Sequence, residues 1–92
     1  MSQIKINRIL LDEYAKKVSP QAIVLYLVIA SLANPKTNKA DPSIRQLAEL
    51  TNKSIRVTQT YLRELEENGM INTERQFSED GTPLPNRYEL LV

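Results

Sequence analysis

The spacing of apolar positions predicts helices over most of the chain and strands toward its end. Residues 54–68 carry a buried helical stripe with the spacing i, i+3, i+4, i+7, at Thr58, Tyr61, Leu62 and Leu65. The opposite side of this helix presents Arg56, Gln59, Thr60 and Arg63, with no acidic residue among the four. Guanidinium and amide groups can pair with base edges and phosphates, so this face has the chemistry of a DNA-reading helix. A solvated helix surface is the simpler interpretation of the same four residues.

A second, more uniformly apolar stretch begins after Ser19-Pro20, a pair that is typical of a helix start. The predicted helix runs from Gln21 to about Ala33. Its β-branched content would also suit a buried strand, but its length and the Ser-Pro start favour a helix. Because it is apolar nearly all round, we expect it to be covered on several sides, either as a central core helix or with one side against a second subunit.

Between these two helices the sequence predicts a loop, a short helix and a tight turn. Residues 34–39 have the composition of a loop. Asp41-Pro42 repeats the cap-plus-proline signal and opens a short helix that ends near Thr51. Asn52-Lys53 forms the turn, Ser54 caps the next helix, and Gly69 supplies its left-handed stop. Two helices joined by so short a turn predict a helix-turn-helix arrangement.

Strand patterns lie at the two ends of the chain. Residues 70–77 and 87–90 are predicted to form an antiparallel hairpin that reverses at Asp80-Gly81. Pro83 and Pro85 lie on the way back and suit an exposed edge, because they lack backbone donors. Residues 3–7 alternate apolar and polar positions and predict a short additional strand.

Composition and charge exclude several classes of function. The chain has 92 residues and a net charge of +1, but residues 1–65 hold ten basic against five acidic residues, whereas residues 66–92 hold two against six. It has no cysteine and no histidine, which excludes zinc sites of the Cys/His type and removes the commonest general base. Only two glycines are present, so no glycine-rich phosphate loop is expected. We therefore expect no enzyme, no cofactor and no metal site.

The chain shows no secretory or membrane-spanning pattern. Its first residues lack the architecture of a signal peptide. The longest apolar run, residues 22–30, is much shorter than the ~20 residues that cross a bilayer. The sequence predicts a cytoplasmic protein without membrane contact, and its length predicts one domain over residues 1–92.

Several of these segments together resemble a winged helix-turn-helix domain, and more narrowly the N-terminal domain of bacterial plasmid and phage replication proteins. The segments that carry the resemblance are Ile4-Lys5-Ile6, Ser19-Pro20-Gln21-Ala22, Leu25-Tyr26, Pro42-Ser43-Ile44, Leu47-Ala48, Thr58-Gln59, Glu66 to Ile71 and Pro85 to Leu90. The resemblance implies a mainly α fold with a small antiparallel β-sheet: three helices, a C-terminal β-hairpin wing and a short N-terminal strand. It also implies that the third helix enters the major groove of DNA and that the wing lies along the adjacent backbone or minor groove.

Carried onto this sequence, the resemblance implies DNA contacts on the third helix and on the wing. The helix residues are Ser54, Arg56, Gln59, Thr60 and Arg63, and the wing residues are Arg75 and Arg87. Lys53 and the amides near Ser54 are expected to hold the phosphate backbone at the N-terminus of the helix. Two departures stand out. The wing tip, residues 78–81, is acidic, and Thr58 occupies a usually aliphatic position, where its hydroxyl is expected to bond a helix carbonyl.

The predicted function is sequence-specific binding of duplex DNA in plasmid or phage replication initiation or its control. The alternatives are a transcriptional regulator of the same fold and a protein–protein interaction module. A single domain of this kind covers about one half-site, so tight binding is expected to need a homodimer, a second domain or a further replication or regulatory protein.

Overall fold

The computed structural model describes residue 8 and residues 10–92. Within these residues the chain forms three α-helices and a small antiparallel sheet, which confirms the predicted fold class. The elements in chain order are a π-helical turn at Leu10–Tyr14, α1 at Pro20–Leu32, β1 at Lys39–Ala40, α2 at Ile44–Leu50, α3 at Ile55–Glu67, β2 at Ile71–Phe77 and β3 at Pro83–Leu90. The strand predicted at residues 3–7 lies outside the described residues.

The α1 segment is a helix, as its Ser-Pro start predicts. The Ser19 hydroxyl accepts a hydrogen bond from the Ala22 N–H at 3.3 Å, and Pro20 is the first helical residue. One side of the helix is buried through Ala22, Leu25, Tyr26 and Ile29. The opposite side is more open, since Val24 is 53% exposed. The helix is therefore packed on one side and only partly covered on the other.

The helix-turn-helix forms as predicted, but its first helix starts later than expected. The cap of α2 is Ser43, whose hydroxyl accepts from the Gln46 N–H at 3.0 Å, so the prediction of a cap at Asp41-Pro42 was wrong. Asp41 is instead bonded by the side chain of Arg87. The Asp41 carboxylate, which was predicted to cap the helix, therefore bonds to Arg87 of a distant segment instead.

The turn and the ends of α3 follow the local signals in the sequence. Asn52 has φ of 54° in the turn, a conformation that asparagine tolerates. The Ser54 hydroxyl accepts from the Val57 N–H at 3.1 Å and caps α3. At the other end Gly69 has φ of 71°, and the Met70 N–H bonds the Leu65 carbonyl at 3.0 Å. This is the left-handed helix stop predicted for Gly69.

The sheet has the order β1-β3-β2 and contains a strand that the sequence did not reveal. Residues 34–39 were predicted as a loop, but Lys39 and Ala40 form β1 and pair with Glu89 and Tyr88 of β3. A strand of two residues is too short to produce a periodic pattern. The prediction that residue 39 belongs to a loop was therefore wrong.

The returning strand of the hairpin is also longer than predicted, since β3 begins at Pro83 rather than at Arg87. Its register against β2 shifts between Glu74 and Gln76, which leaves a local bulge. Because β1 covers β3 only at Tyr88 and Glu89, the proline-bearing half of β3 has an open edge. Prolines are tolerated there because no second strand among the described residues pairs with that edge, so the missing proline N–H costs no hydrogen bond between strands.

The core lies between α1, α2, α3 and the base of the hairpin. Its most deeply buried apolar side chains are Leu25, Ile29, Leu47, Leu65, Met70 and Ile71. Thr58 is the polar exception at 1% exposure, and its hydroxyl donates to the Ser54 carbonyl at 2.8 Å, which confirms the predicted back-bond. Among the described residues no buried side-chain polar atom lacks a hydrogen-bond partner. The inner side of α3 is thus fixed by packing, which determines what its outer side presents.

Candidate nucleic-acid interface

The two sides of α3 differ as the sequence pattern predicts. Thr58, Leu62 and Leu65 are buried against the core. The opposite side is solvent-exposed at every position predicted to contact DNA: Arg56, Gln59, Thr60 and Arg63. The Thr60 hydroxyl donates to the Arg56 carbonyl at 3.2 Å, which holds the threonine side chain close to the helix. Both guanidinium groups and the glutamine amide therefore face solvent on one side of one rigid helix.

The N-terminal end of α3 adds positive potential to this surface. Lys53 and Ser54 are exposed in the turn and at the cap. The Ser54 oxygen already accepts from Val57, so a hydrogen bond from this side chain to an anion would use its hydroxyl proton. The partial positive charge of the helix N-terminus and the Lys53 ammonium act in the same direction.

A groove separates α3 from the wing and brings predicted residues of both elements together. It has a volume of about 720 Å³, and Gln59 and Arg63 line its helix side, while Arg75 lines its wing side. In the same region the Thr73 hydroxyl donates to the Glu66 carboxylate at 3.2 Å and connects the wing to the helix. The groove therefore brings cations from two elements to one space, and the carboxylates of Glu66 and Glu67 line it as well.

Asn86 lines the same groove and was missed by the sequence prediction. Successive strand residues point to opposite faces, so Asn86 shares a face with the buried Tyr88. The alternation that relates Asn86 to Tyr88 is visible in the sequence. The strand was predicted to begin only at Arg87, however, one residue too late to include Asn86.

Arg87 lies apart from the other predicted contacts. It alternates with Asn86 and Tyr88 and so belongs to the other face of the sheet. There its Nε donates to Asp41 Oδ1 at 2.8 Å and its Nη2 donates to Asp41 Oδ2 at 3.0 Å. The hydrogen bond to Arg87 lowers the pKa of the Asp41 carboxyl. The predicted DNA contact of Arg87 remains a prediction, but its guanidinium already has a carboxylate partner.

The acidic groups near α3 are held in defined places. Glu64 turns back to the start of α1, where its carboxylate accepts from the Ser19 N–H at 3.0 Å and from the Ser19 hydroxyl at 2.8 Å. Glu66 is bonded by Thr73, while Glu67 is exposed near the end of the helix. The basic part of the helix surface is therefore its first three turns, and the acidic part is its last.

The wing tip is an acidic turn organised around one carboxylate. Asp80 is bonded by the Ser78 hydroxyl and accepts from the Thr82 N–H at 3.0 Å. Hydrogen bonds from Ser78 and Thr82 lower the pKa of Asp80 to about 2. The tip thus keeps its negative charge at neutral pH, as its sequence predicts.

Two negative findings concern the described part of the chain. No helix there is long and apolar enough to cross a membrane. The same residues contain no group of three or more acidic, histidine or cysteine side chains that could hold a metal ion.

Comparisons with known proteins find solved structures with a similar fold. Two similar solved structures are "Structure of Rep-DNA complex", with a TM-score of 0.67, and "N-Terminal domain of DNA binding protein", with a TM-score of 0.66. Each is 18% identical in sequence, and each alignment covers 99% of this chain and 75% of the other chain. The likeness at this identity concerns the fold alone. A search of the curated proteins finds no match.

The helix-turn-helix signature extends from the segment before α1 to the start of the wing. The helix-turn-helix domain family matches residues 16–71, which is more than half of the chain and includes all three α-helices. By its sequence and its fold, this protein belongs to the helix-turn-helix domain family.

Proposed function

We propose that this chain binds duplex DNA in a sequence-specific manner, with α3, predicted at residues 54–68, in the major groove. The observation that carries the proposal is the exposed side of α3, where Arg56, Gln59, Thr60 and Arg63 stand free of the core. A major groove about 12 Å wide admits a helix of this kind. The neighbouring groove of the protein extends this surface to Arg75 on the wing.

Each side chain of this face has a defined role in the proposal. Arg56 and Arg63 bond guanine or phosphate, and Gln59 pairs with adenine through its amide. Thr60 contacts a thymine methyl group or a phosphate. Lys53 and the backbone amides near Ser54 hold a phosphate at the start of α3, where the helix dipole favours an anion.

The biological setting we propose is plasmid or phage replication initiation or its control, with residues 1–92 acting as one DNA-binding domain. Support comes from the likeness to "Structure of Rep-DNA complex" over 99% of this chain. A homodimer, or a further replication or regulatory protein, would supply the second half-site. A transcriptional regulator of the same fold would use the same face of α3, and identification of the selected sites would distinguish the two settings.

A protein-interaction module is the second candidate, and the acidic wing tip favours it. Residues 66–92 hold six acidic against two basic residues, and Phe77 beside the tip is 58% exposed. In this case α3 would be solvated surface and duplex DNA would not bind at low salt.

Selection of bound sequences from random duplex DNA tests the proposal, followed by affinity measurements at several salt concentrations. We expect one enriched sequence motif and a log affinity that falls by about 0.9 per log unit of salt for each phosphate contacted. Arg63→Ala should weaken binding, whereas Arg8→Ala is a matched control. Arg8 also carries a guanidinium but lies outside α3 and the wing, where it pairs with Asp12. Absence of binding at low salt, or equal loss in both variants, would contradict the proposal.

A further inference from the structure

Two ion pairs fasten the segment around β1 to both strands of the wing. Asp41 accepts two parallel hydrogen bonds from Arg87 of β3, at 2.8 and 3.0 Å. The Lys39 ammonium lies 3.1 Å from the Glu74 carboxylate of β2. In the sheet Lys39 is paired with Glu89 of β3, so its side chain crosses the middle strand to reach Glu74. The segment 39–41 therefore holds both strands of the hairpin from one face.

These ion pairs connect the helix-turn-helix directly to the wing. Asp41 is followed by Pro42 and by Ser43, the cap of α2. Arg87 is preceded by Asn86, which lines the groove between α3 and the wing. The Asp41–Arg87 contact therefore links the start of the first helix of the motif to a strand position next to the proposed DNA-facing groove.

Arg87 itself does not line that groove. Together with Lys39 and Asp41 it lines a cavity on the other side, beside the end of α1. The two-residue period of a strand explains this separation, because Asn86 and Tyr88 point to one face and Arg87 to the other. To bind a phosphate in the groove, the Arg87 side chain would have to move to the other face of β3. It would then lose both of its hydrogen bonds to the Asp41 carboxylate.

We propose that Asp41 and Arg87 are positioning residues that set the wing at its angle to α3. Arg87 then acts on DNA binding through the placement of Arg75 and Asn86 and makes no phosphate contact itself. This inference rests on the proposed DNA-binding function, and it gives Arg87 a different role from the wing contact that the family resemblance implies.

Replacement of Asp41 distinguishes the two roles by the sign of its effect. If Arg87 positions the wing, Asp41→Asn should weaken binding of the selected duplex by about 2- to 5-fold, the range of an exposed ion pair. If Arg87 contacts a phosphate, the same change should strengthen binding, because the carboxylate that competes for the guanidinium is gone. Glu79→Gln is the matched control for the loss of one negative charge, since Glu79 is exposed at the wing tip and forms no ion pair within the described residues.

Replacement of Arg87 gives a second, independent readout. Arg87→Gln should weaken binding as much as Asp41→Asn, and the double variant should be no weaker than either single variant. The slope of log affinity against log salt should stay that of the unaltered protein. A slope smaller by about 0.9 would assign a phosphate contact to Arg87 and overturn the inference. The exchange Asp41→Arg with Arg87→Asp should restore most of the affinity.

The orientation of the wing can also be measured without DNA. Residual dipolar couplings of backbone amides report the orientation of each element in the free protein. In Asp41→Asn the couplings of β2 and β3 should change relative to those of α3, while the couplings within each element still fit the unaltered structure of that element. Unchanged couplings would overturn the inference regardless of the measured DNA affinities. If the unaltered protein fails to bind duplex DNA, the proposed function fails, and the couplings still decide whether Asp41 and Arg87 set the wing.

Discussion

The helix α3 and the wing are built in opposite ways. On α3 the core-facing side is buried at Thr58, Leu62 and Leu65, and the outer side of its first three turns carries free cationic and amide groups. On the wing three charged groups are engaged: Arg87 with Asp41, Glu74 with Lys39, and Asp80 with its own turn. Within the described residues, the outer side of the helix thus leaves its cationic and amide groups unpaired, whereas several charged groups of the wing bond to other parts of the fold. The wing residues that share a groove with the exposed face of α3 are Thr73, Arg75, Asn86 and Tyr88.

The largest expected effect concerns the packed side of α3. Leu65 is fully buried between the helix and the core, so Leu65→Ala should lower the free energy of unfolding by about 2–5 kcal/mol. Phe77→Ala on the wing is the comparison, and with 58% of the side chain exposed it should change stability by no more than about 0.5 kcal/mol. Denaturant unfolding measures both. Similar losses in the two variants would contradict the contrast between helix and wing.

The next effect concerns recognition itself. Arg56→Ala should cost about 1–3 kcal/mol of binding free energy if Arg56 reads a base, with relaxed discrimination at one position of the site. Arg75→Ala on the wing should weaken binding to all duplexes alike and reduce the salt slope by about 1, as expected for a phosphate contact. Affinities on a panel of singly altered sites measure the difference. Uniform weakening by Arg56→Ala would reassign that residue to the phosphate backbone.

A smaller effect is expected at Thr58, on the inner side of α3. The Ser54 carbonyl accepts from both the Thr58 hydroxyl and the Thr58 N–H, at 2.8 and 2.9 Å. In Thr58→Val the carbonyl keeps its backbone donor, and no buried polar atom loses its last partner, so stability should change by less than about 1 kcal/mol. Thr58→Ala leaves a cavity as well and should destabilise more than Thr58→Val. Because both variants lack the hydroxyl, the reverse order in thermal unfolding would mean that the methyl groups of valine do not fit the space that Thr58 occupies.

The smallest effect concerns the wing tip and its pH dependence. The pKa of Asp80 is lowered from 3.8 to about 2, so its contribution to the turn is complete above pH 3.8 and is lost as the pH falls through about 2. The amide signals of Gly81 and Thr82 should titrate with that midpoint, while the signals of α3 should not follow it. Asp80→Asn should abolish this transition and leave the helices unchanged. A midpoint near 3.8 would show that the turn does not hold the carboxylate.

Local signals predicted the helices well because their causes are local. Ser19 and Ser54 cap helices by bonding amides three residues away, and Gly69 ends α3 through its own backbone conformation. The buried and exposed sides of α3 likewise follow from its periodicity alone.

The errors arose where distant parts of the chain meet. Asp41 and Ser43 are both good caps, and the choice between them depends on Arg87, which lies far away in the sequence. The short strand at Lys39–Ala40 exists because β3 is there to pair with it. Local propensity could not reveal either contact, since both depend on the partner strand.

The site residues divide in the same manner. Arg56, Gln59, Thr60 and Arg63 could be assigned to one surface from the sequence, because a helix fixes their relative directions. Asn86 was missed and Arg87 was grouped with Arg75, because the bounds of β3 and its partners were unknown. The alternation of Arg87 and Tyr88 was visible in the sequence, but the location of Asp41 on the same face as Arg87 was not.

The most direct test of the central claim is an NMR titration of the protein with its selected duplex, following the side-chain N–H signals of arginine and glutamine. We predict that the signals of Arg56, Gln59 and Arg63 shift strongly and saturate together, with smaller shifts for Arg75. If these signals stay in place while the duplex binds elsewhere on the protein, the exposed side of α3 is not the recognition surface and the account is wrong.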